Sequence, residues 1–498
     1  MSASDWSGVP DDDRSIRTRR AILTGGALGA GALGAALAAP SAPRAQVGLP
    51  DDRYVWRSRI PLNVKDYGAQ GDGTTDDRAA VQSAIDAAVA MGGGTVFFPP
   101  GSYVIDDVIV GIERVGLKIP PEKPIRLLGS GMALNSNGSS PFPTRLIRRA
   151  GNSGTLLSAT GSGTSRVWLE ISDIEFRGSG TSGVLVDVRI GNTVQFHSVR
   201  FVGANDSGLR MGNVYNASGS HLRWQACGAG AAAPACLFYG VSTAAGGSDT
   251  VQWNDLQFEG NGGTDLKLTG NLTNDAGTVT SEVQMSQVKM EGGTAGAVNC
   301  PYIDLDYSQN CKFSNIAIGV HGGRTVPPLR KSHPFGGTRA DVFVNLTIDK
   351  VGTATMAHGI DHVRAALQLE NVTILGAATA AIRVRSTVAP GDFQLGKLVT
   401  NAQRAILDER TALPAVASAA TITPPRERLV SVTGTTDISS ITPHEGGYVM
   451  ALTFAGVLKI VDGAGNLRLA GDFTTTGGDV LTLVSDGTNW YEVARSVN

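Results

Sequence analysis

Charge is scarce in this sequence: 17% of its 498 residues are Asp, Glu, Lys or Arg, and the formal balance is −2. A disordered chain or a coiled coil is charge-rich, so both are excluded. A basic surplus is missing as well, which removes the electrostatic footprint of a nucleic-acid binder or of a protein drawn to an anionic membrane. Aromatic residues make up only 6%, and there are four cysteines, Cys227, Cys236, Cys300 and Cys311. Four are too few for a disulfide scaffold, and none of them forms the C-x-x-C pair of a zinc site. Beyond the first 45 residues no run of about 18 apolar residues occurs, so nothing there reads as a bilayer span. What is abundant is glycine, 64 residues, set among small and β-branched ones without the strict period of collagen. Length alone would suit about three domains, but this composition equally suits one long solenoid, so internal repeats decide.

The first segment reads as an address. Arg17, Arg19 and Arg20 precede a Gly/Ala-rich apolar run from Ala21 to Ala39, with Ala36-Leu37-Ala38 as a small-residue cleavage site. SIRTRRAIL resembles a twin-arginine signal, which implies export to the periplasm or beyond, with residues 1–45 removed and no membrane attachment afterwards. The run holds five glycines and few large apolar residues, a poor composition for a lasting anchor. Export permits disulfides Cys227–Cys236 and Cys300–Cys311; the alternative is that all four are small apolar core residues.

After an extended linker, residues 46–61, comes NVKDYGAQGDGTTDDRAAVQSAIDAAVAMGGGTVFFPPGSYVI. Gly71-Asp72-Gly73 supplies a tight turn, and Thr75 is placed to cap a helix with Asp76 and Asp77 in its first turn. Ala80, Val81, Ala84, Ile85, Ala88 and Val89 recur at helical spacing up to Gly92-Gly93-Gly94. A strand over Thr95 to Phe98 and a second from Tyr103 follow. This run resembles the opening of the pectate-lyase superfamily of right-handed parallel β-helices, the group with rhamnogalacturonase-like and tailspike-like members. The resemblance implies that the helix plugs the first coil and that these Asp residues are structural.

The next 230 or so residues carry the solenoid on their own pattern. LEISDIEFRG, VQFHSVRFVG, LRWQACGAGA, VQWNDLQFEG, VQMSQVKMEG, CKFSNIAIGV, VFVNLTIDK, LQLENVTILG and FQLGKLVTNA share one template of alternating strand, polar turn and alternating strand. Their turn positions, Asp173, Ser198, Ala226, Asp255, Gln287, Asn315, Asn345, Asn371 and Lys397, are separated by 25, 28, 29, 32, 28, 30, 26 and 26 residues. A near-constant period with alternation means stacked coils. Period two points Ile171, Phe196, Trp224, Trp253, Met285 and Phe313 inward, and Glu170, Gln195, Arg223, Gln252, Gln284, Lys312 and Gln368 outward. A second strand per coil recurs as VRIGN, LRMGN, CLFYG, LKLTGN and LDYSQN; Val188, Leu209, Leu237, Leu266 and Leu305 point inward and a column Asn192, Asn213, Asn271, Asn310 follows. The reading is an all-β chain: a parallel β-helix over 62–425 with its capping helix, then a small antiparallel β-sandwich or β-roll over 426–498 after Pro424-Pro425. The ending DGTNWYEVARS resembles the terminal modules of phage tail fibres, which implies attachment or homotrimer formation.

Chemistry has to be sought on the outward columns. In the second strand these run Asp187, Gly208, Cys236, Asp265, Asp304 and, two residues on, Arg189, Arg210, Phe238, Lys267, Asp306. Coils stack about 4.8 Å apart, so Asp265 is expected near Asp304, with Lys267 beside Asp306. Clustered carboxylates push their proton affinities apart, which a glycan-cleaving site needs: one protonated acid for the leaving oxygen and one ionised base or nucleophile. With Arg210 and Lys267 the same cluster could hold calcium and a uronate for β-elimination, calcium being the one cofactor this chemistry would add. Glu259 above Glu291, with Asp349 further along, forms a second carboxylate stack. The superfamily resemblance implies a groove along one parallel sheet and favours Asp206, Asp265, Asp304 and Asp306. The opposing reading is a solvated ladder in which Lys267 merely neutralises its neighbours.

The chain departs from the polygalacturonase-type pattern. Members of that type carry N-x-D, D-D and G-H-G at the starts of consecutive coils, whereas this chain has only AHGIDH around His358 and VHGGR around His321 and no Asp pair inside the repeating coils. The stretch Gly322 to Thr338, with Arg324, Arg330, Lys331 and His333, reads as an insertion overhanging the groove. Two functions remain open. One is an exported hydrolase or lyase acting on a polysaccharide, an acidic one given Arg189, Arg210 and Lys267. The other is a non-catalytic, tail-fibre-like adhesin.

Overall fold

The computed structural model describes residues 60–132, 143–180, 183–228, 233–241, 247–271, 279–292, 300–321, 326–332, 339–352, 354–389, 391–410 and 413–496. The export signal, Arg324 and His333 lie outside them. Helix α1, Arg78–Ala90, buries Val81, Ala84, Ile85 and Ala88 against the first coils. Its N-cap is Asp77 and not Thr75. Asp77 points away from the helix and accepts the amides of Gln70 (2.6 Å) and Gly71 (3.0 Å), tying down the preceding turn. Asp72 accepts the amides of Thr74 and Thr75, both at 2.8 Å, so these acids are turn formers. No helix among the described residues is long and apolar enough to cross a membrane.

Two long sheets follow, a 16-stranded one and a 12-stranded one, in which strands pair in parallel with the equivalent strand of the next coil, apart from an antiparallel pair, Val108–Val110 with Glu113–Ile119, at the edge of the smaller sheet. This is the parallel β-helix. The longer strands, such as Val167–Arg177, Gly191–Val202, Tyr215–Gln225 and Asp249–Glu259, are bent near the middle at a residue in the left-handed region, and the last three carry a second such residue near their start, Thr193, Asn216 and Thr250. That bend column is Asp173, Ser198, His221, Asp255, Gln287, Asn315, Asn345 and Asn371, with φ between 50° and 60°. It coincides with the turn positions read from the sequence except in the third coil, where His221 replaces Ala226, and in the last, where Lys397 falls between two short strands, Phe393–Leu395 and Leu398–Thr400, without a left-handed bend. The expected template failed in the third coil because Tyr215–Gln225 opens on small residues. Gly219 occupies the inward place, in register with Phe196 and Trp253. A Cβ at Gly219 would stand 2.7 Å from the Trp253 indole, so the glycine leaves room for that ring. Trp224 is inward, but it pairs with Phe201 and Phe258, against which it stacks at 5.4 and 4.5 Å. Arg223 consequently belongs with Arg200 and not with Gln195.

The asparagine column is also displaced. Amide-to-amide bonds link Asn345 to Asn315 (2.9 Å) and Asn371 to Asn345 (2.7 Å), at the bend of the long strands. Of the four expected positions, Asn192 does accept from Asn216 Nδ2 of the next coil at 3.0 Å, and Asn213 and Asn310 take positive φ, 51° and 54°. Cys227, Cys236 and Cys311 are free thiols in the core and Cys300 is free and buried as well, so neither permitted bridge is formed and the core-residue alternative holds. Burial pushes the Cys227 thiol up to about 12, which makes it inert. The stretch expected to be an overhanging insertion contains a coil strand, Leu329–Ser332, paired on both sides.

A second core gathers Ile422, Val430, Phe454, Leu481 and Trp490. Its first strand, Ala415–Ala417, precedes Pro424-Pro425 and pairs in parallel with Leu429–Thr433, so the expected boundary at residue 426 cuts through paired strands. The fold of this part is mixed: parallel pairs first, then antiparallel hairpins such as Val480–Ser485 with Trp490–Ser496.

Candidate functional site

The short strands of the 12-stranded sheet carry the candidate acids. Alternation there puts Ile303 and Leu305 inside, and leaves Asp304 and Asp306 on the outer face of the strand. The register pairs Lys267 with Asp304 and Arg330 with Asp304 on the other side. The expectation that Asp265 would neighbour Asp304 is therefore corrected by two residues. Asp265 is fully buried and accepts from Asn261 Nδ2 at 2.9 Å. The outward column runs Asp187, Arg210, Leu237, Lys267, Asp304, Arg330, Asp361, Arg383. Phe238 and Cys236 face the core in place of Leu237, which sits in this outward column.

Asp304 is enclosed by cations. Arg330 grips it with Nε to Oδ1 at 2.9 Å and a terminal nitrogen to Oδ2 at 2.8 Å, and Lys267 Nζ lies 3.4 Å from Oδ2. With only 3% of its surface exposed, Asp304 is committed to positioning those two cations. Asp306 differs. It is half-buried, and its carboxyl meets hydroxyls from the coils on either side, Thr269 Oγ1 at 3.4 Å and Ser332 Oγ at 3.5 Å. Burial raises its proton affinity above the ordinary carboxylate range; Lys267 works in the opposite direction and Asp304 adds to the rise. Two carboxyls two residues apart thus have unlike surroundings, one clamped by cations and one whose proton affinity burial raises.

The remaining candidates are placed as follows. Arg189 is bound to Asp187 (2.7 Å) and Glu113 (3.1 Å), and Arg210 to Asp206 (2.6 Å). Glu259 and Glu291 do stand side by side in register, on the long sheet and not on the strand of Asp306, and Glu291 is paired with Lys289 at 2.9 Å. His358 is largely buried and burial lowers its proton affinity. Ser332, Asp361 and Arg385 were missed by sequence reasoning, and Arg330, expected on an overhanging insertion, lies on a coil strand beside Asp304. Asp361 takes a two-pronged grip from Arg385 at 2.7 and 2.9 Å, repeating the Asp304 arrangement one coil on from Arg330. VPPLRKS carries no apolar alternation to reveal its strand, because the inward place after Leu329 is taken by Lys331. Among the described residues no group of three or more His, Cys, Asp or Glu is arranged to hold a metal ion.

Comparison with known proteins adds the following. A 126-residue stretch is 37% identical to mannuronan C5-epimerase AlgE4 of Azotobacter vinelandii, covering 25% of this chain and 21% of that protein. A 118-residue stretch is 35% identical to the plasmin and fibronectin-binding protein A of Streptococcus pneumoniae, covering 24% of this chain and 14% of that one. The chain thus spans less than a quarter of either relative's length. The A-module of the Azotobacter vinelandii epimerase AlgE6 superposes with a TM-score of 0.48 at 17% identity, over 77% of this chain and 100% of the module. Residues 62–321, more than half of the sequence, match a family as a whole. Its capping helix and stacked coils are those already described, and the chain belongs to the rhamnogalacturonase A/epimerase, pectate lyase-like family.

Proposed function

We propose that this protein cleaves an acidic polysaccharide laid across the coils of the 12-stranded sheet, with Asp306 delivering the proton that the leaving glycosidic oxygen requires. The observation that carries the reading is the half-buried Asp306 carboxyl with raised proton affinity, next to a carboxylate clamped by Lys267 and Arg330. Hydrolysis and β-elimination both need that proton. Lys267 and Arg330 keep 30% and 41% of their side-chain surface exposed, so each can still face a uronate carboxylate while holding Asp304. The epimerase likeness supports a uronate polymer as the substrate class. The signal around Arg19 and Arg20 would bring the protein to such a polymer outside the cytoplasm.

A second reading, a non-catalytic glycan binder, draws on the alternation of charge along Lys267, Asp304, Arg330, Asp361 and Arg383, which a plain neutralised ladder would also show. The two separate on one variant. The full chain is incubated with mannuronan and other acidic and neutral polysaccharides, reading reducing ends and unsaturated-uronate absorbance. Asp306→Asn is expected to lower the rate about a hundredfold or more. Stability supplies the second readout. An acid whose folded proton affinity is raised weakens the fold as pH climbs past its ordinary value of 3.8. Asp306→Asn should therefore be no less stable than wild type at neutral pH, any gain disappearing below that value. Unchanged cleavage by the variant would overturn the assignment.

A further inference from the structure

A second feature lies on the other sheet and does not depend on the reading above. A trough of about 760 Å³ runs over the outer face of the first halves of the long strands. It crosses the coils from Glu170 to Val342, six intervals and hence roughly 29 Å at the spacing of parallel strands. One column along it is Gln195, Ser218, Gln252 and Gln284. The other is His197, Ser220, Asn254, Ser286 and Ser314. His197 Nδ1 and Ser220 Oγ are joined at 2.7 Å across adjacent coils.

No Asp, Glu, Lys or Arg occurs in either column between Glu170 at one end and Lys312 at the other, and Glu170 is held by Arg126 at 3.0 Å. The second halves of the same strands are different, since Glu175, Arg200, Arg223 and Lys289 sit there in the outward places. The uncharged strip is thus confined to the trough. Exposed apolar side chains are confined to one end, where Val342 and Val344 lie; Phe196, Trp253, Met285 and Phe313 line the rest but are at most 2% exposed and turn into the core. A protein partner would want large apolar anchors near the centre, and an ionised ligand would give up hydration without meeting an opposite charge. Amide and hydroxyl side chains each offer both donor and acceptor, the property that matches sugar hydroxyls.

We propose that this trough holds one extended strand of an uncharged polysaccharide, its rings hydrogen-bonding to successive rungs of glutamine, serine and asparagine. The test titrates the full chain with cello-, xylo-, manno- and laminari-hexaose, and with a mannuronate hexamer as the acidic probe. At least one neutral hexaose should bind with a Kd in the micromolar to millimolar range. Removing hydrogen-bonding groups in Gln252→Ala/Gln284→Ala should weaken it about tenfold. Ser286→Trp, which fills the trough, should abolish it, with far-UV circular dichroism confirming that the coils are retained. Asp306→Asn should bind the neutral hexaose as the wild type does, so failure of the cleavage reading and failure of this one remain distinguishable. The proposal is overturned if no neutral hexaose binds in the millimolar range, if only the mannuronate hexamer binds, or if both trough variants bind like wild type.

Discussion

Lys331 is an inward residue, in register with Leu305 on one side and His362 on the other. Its ammonium has no exposure and donates to Asp341 Oδ2 at 2.7 Å, to the Ser308 carbonyl at 2.6 Å and to Ser308 Oγ at 3.1 Å. Asp341, equally buried, also accepts from Ser308 Oγ (2.6 Å) and from the Cys311 amide (2.9 Å). His362 stays neutral beside this pair, burial pushing it down to about 4. Two charges in a core are tolerated only when every lone pair and proton is used, and breaking one partner strands the other. Asp341→Ala is expected to cost about 3–5 kcal/mol in urea unfolding, while Lys331→Met/Asp341→Leu should cost clearly less, because both desolvation penalties vanish together. A double variant as damaged as the single one would contradict this.

At the scale of the element, the bend of the long strands was legible because asparagine, aspartate and serine tolerate a left-handed backbone and recur once per coil. Asn345 sits at φ 56° with one amide bond above and one below. Asn345→Ala should lose about 1–3 kcal/mol, from the backbone penalty and the two exposed bonds together. Asn345→Gly should recover the backbone share only, and equal losses in the two variants, read by urea titration, would show the ladder alone to matter. The third coil was illegible for the opposite reason: Ala217 and Gly219 give the alternation no large residue to mark the inward face, and the ring that fills their space comes from Trp253 in the next coil. At the candidate site the face was readable and the neighbour was not. Sliding a strand by two residues keeps each side chain on its own face, so alternation alone cannot distinguish Asp265 from Lys267 as the partner of Asp304.

For the whole molecule, the period carried the architecture, since the apolar residues of successive coils stack into one continuous core. The C-terminal boundary was less readable, as Pro424-Pro425 looks like a break yet lies between strands that pair across it. Arg410 bridges the same region, bonding Asp408 behind it and Glu427 (3.2 Å) ahead. The parallel pairing also fixes how the protein answers to force. Because the hydrogen bonds between coils point along the stack, a load drawn along that axis strains one rung at a time and never shears the stack as a unit. Pulled between handles at Ile60 and Arg410, the solenoid should unreel in a staircase of low-force steps, each releasing one coil of about 28 residues and roughly 90–100 Å of chain. A single abrupt rip in optical-tweezer traces would contradict it. A strand of polymer gripped along the stack and tugged lengthwise would therefore meet a tether that yields gradually, coil after coil, instead of snapping.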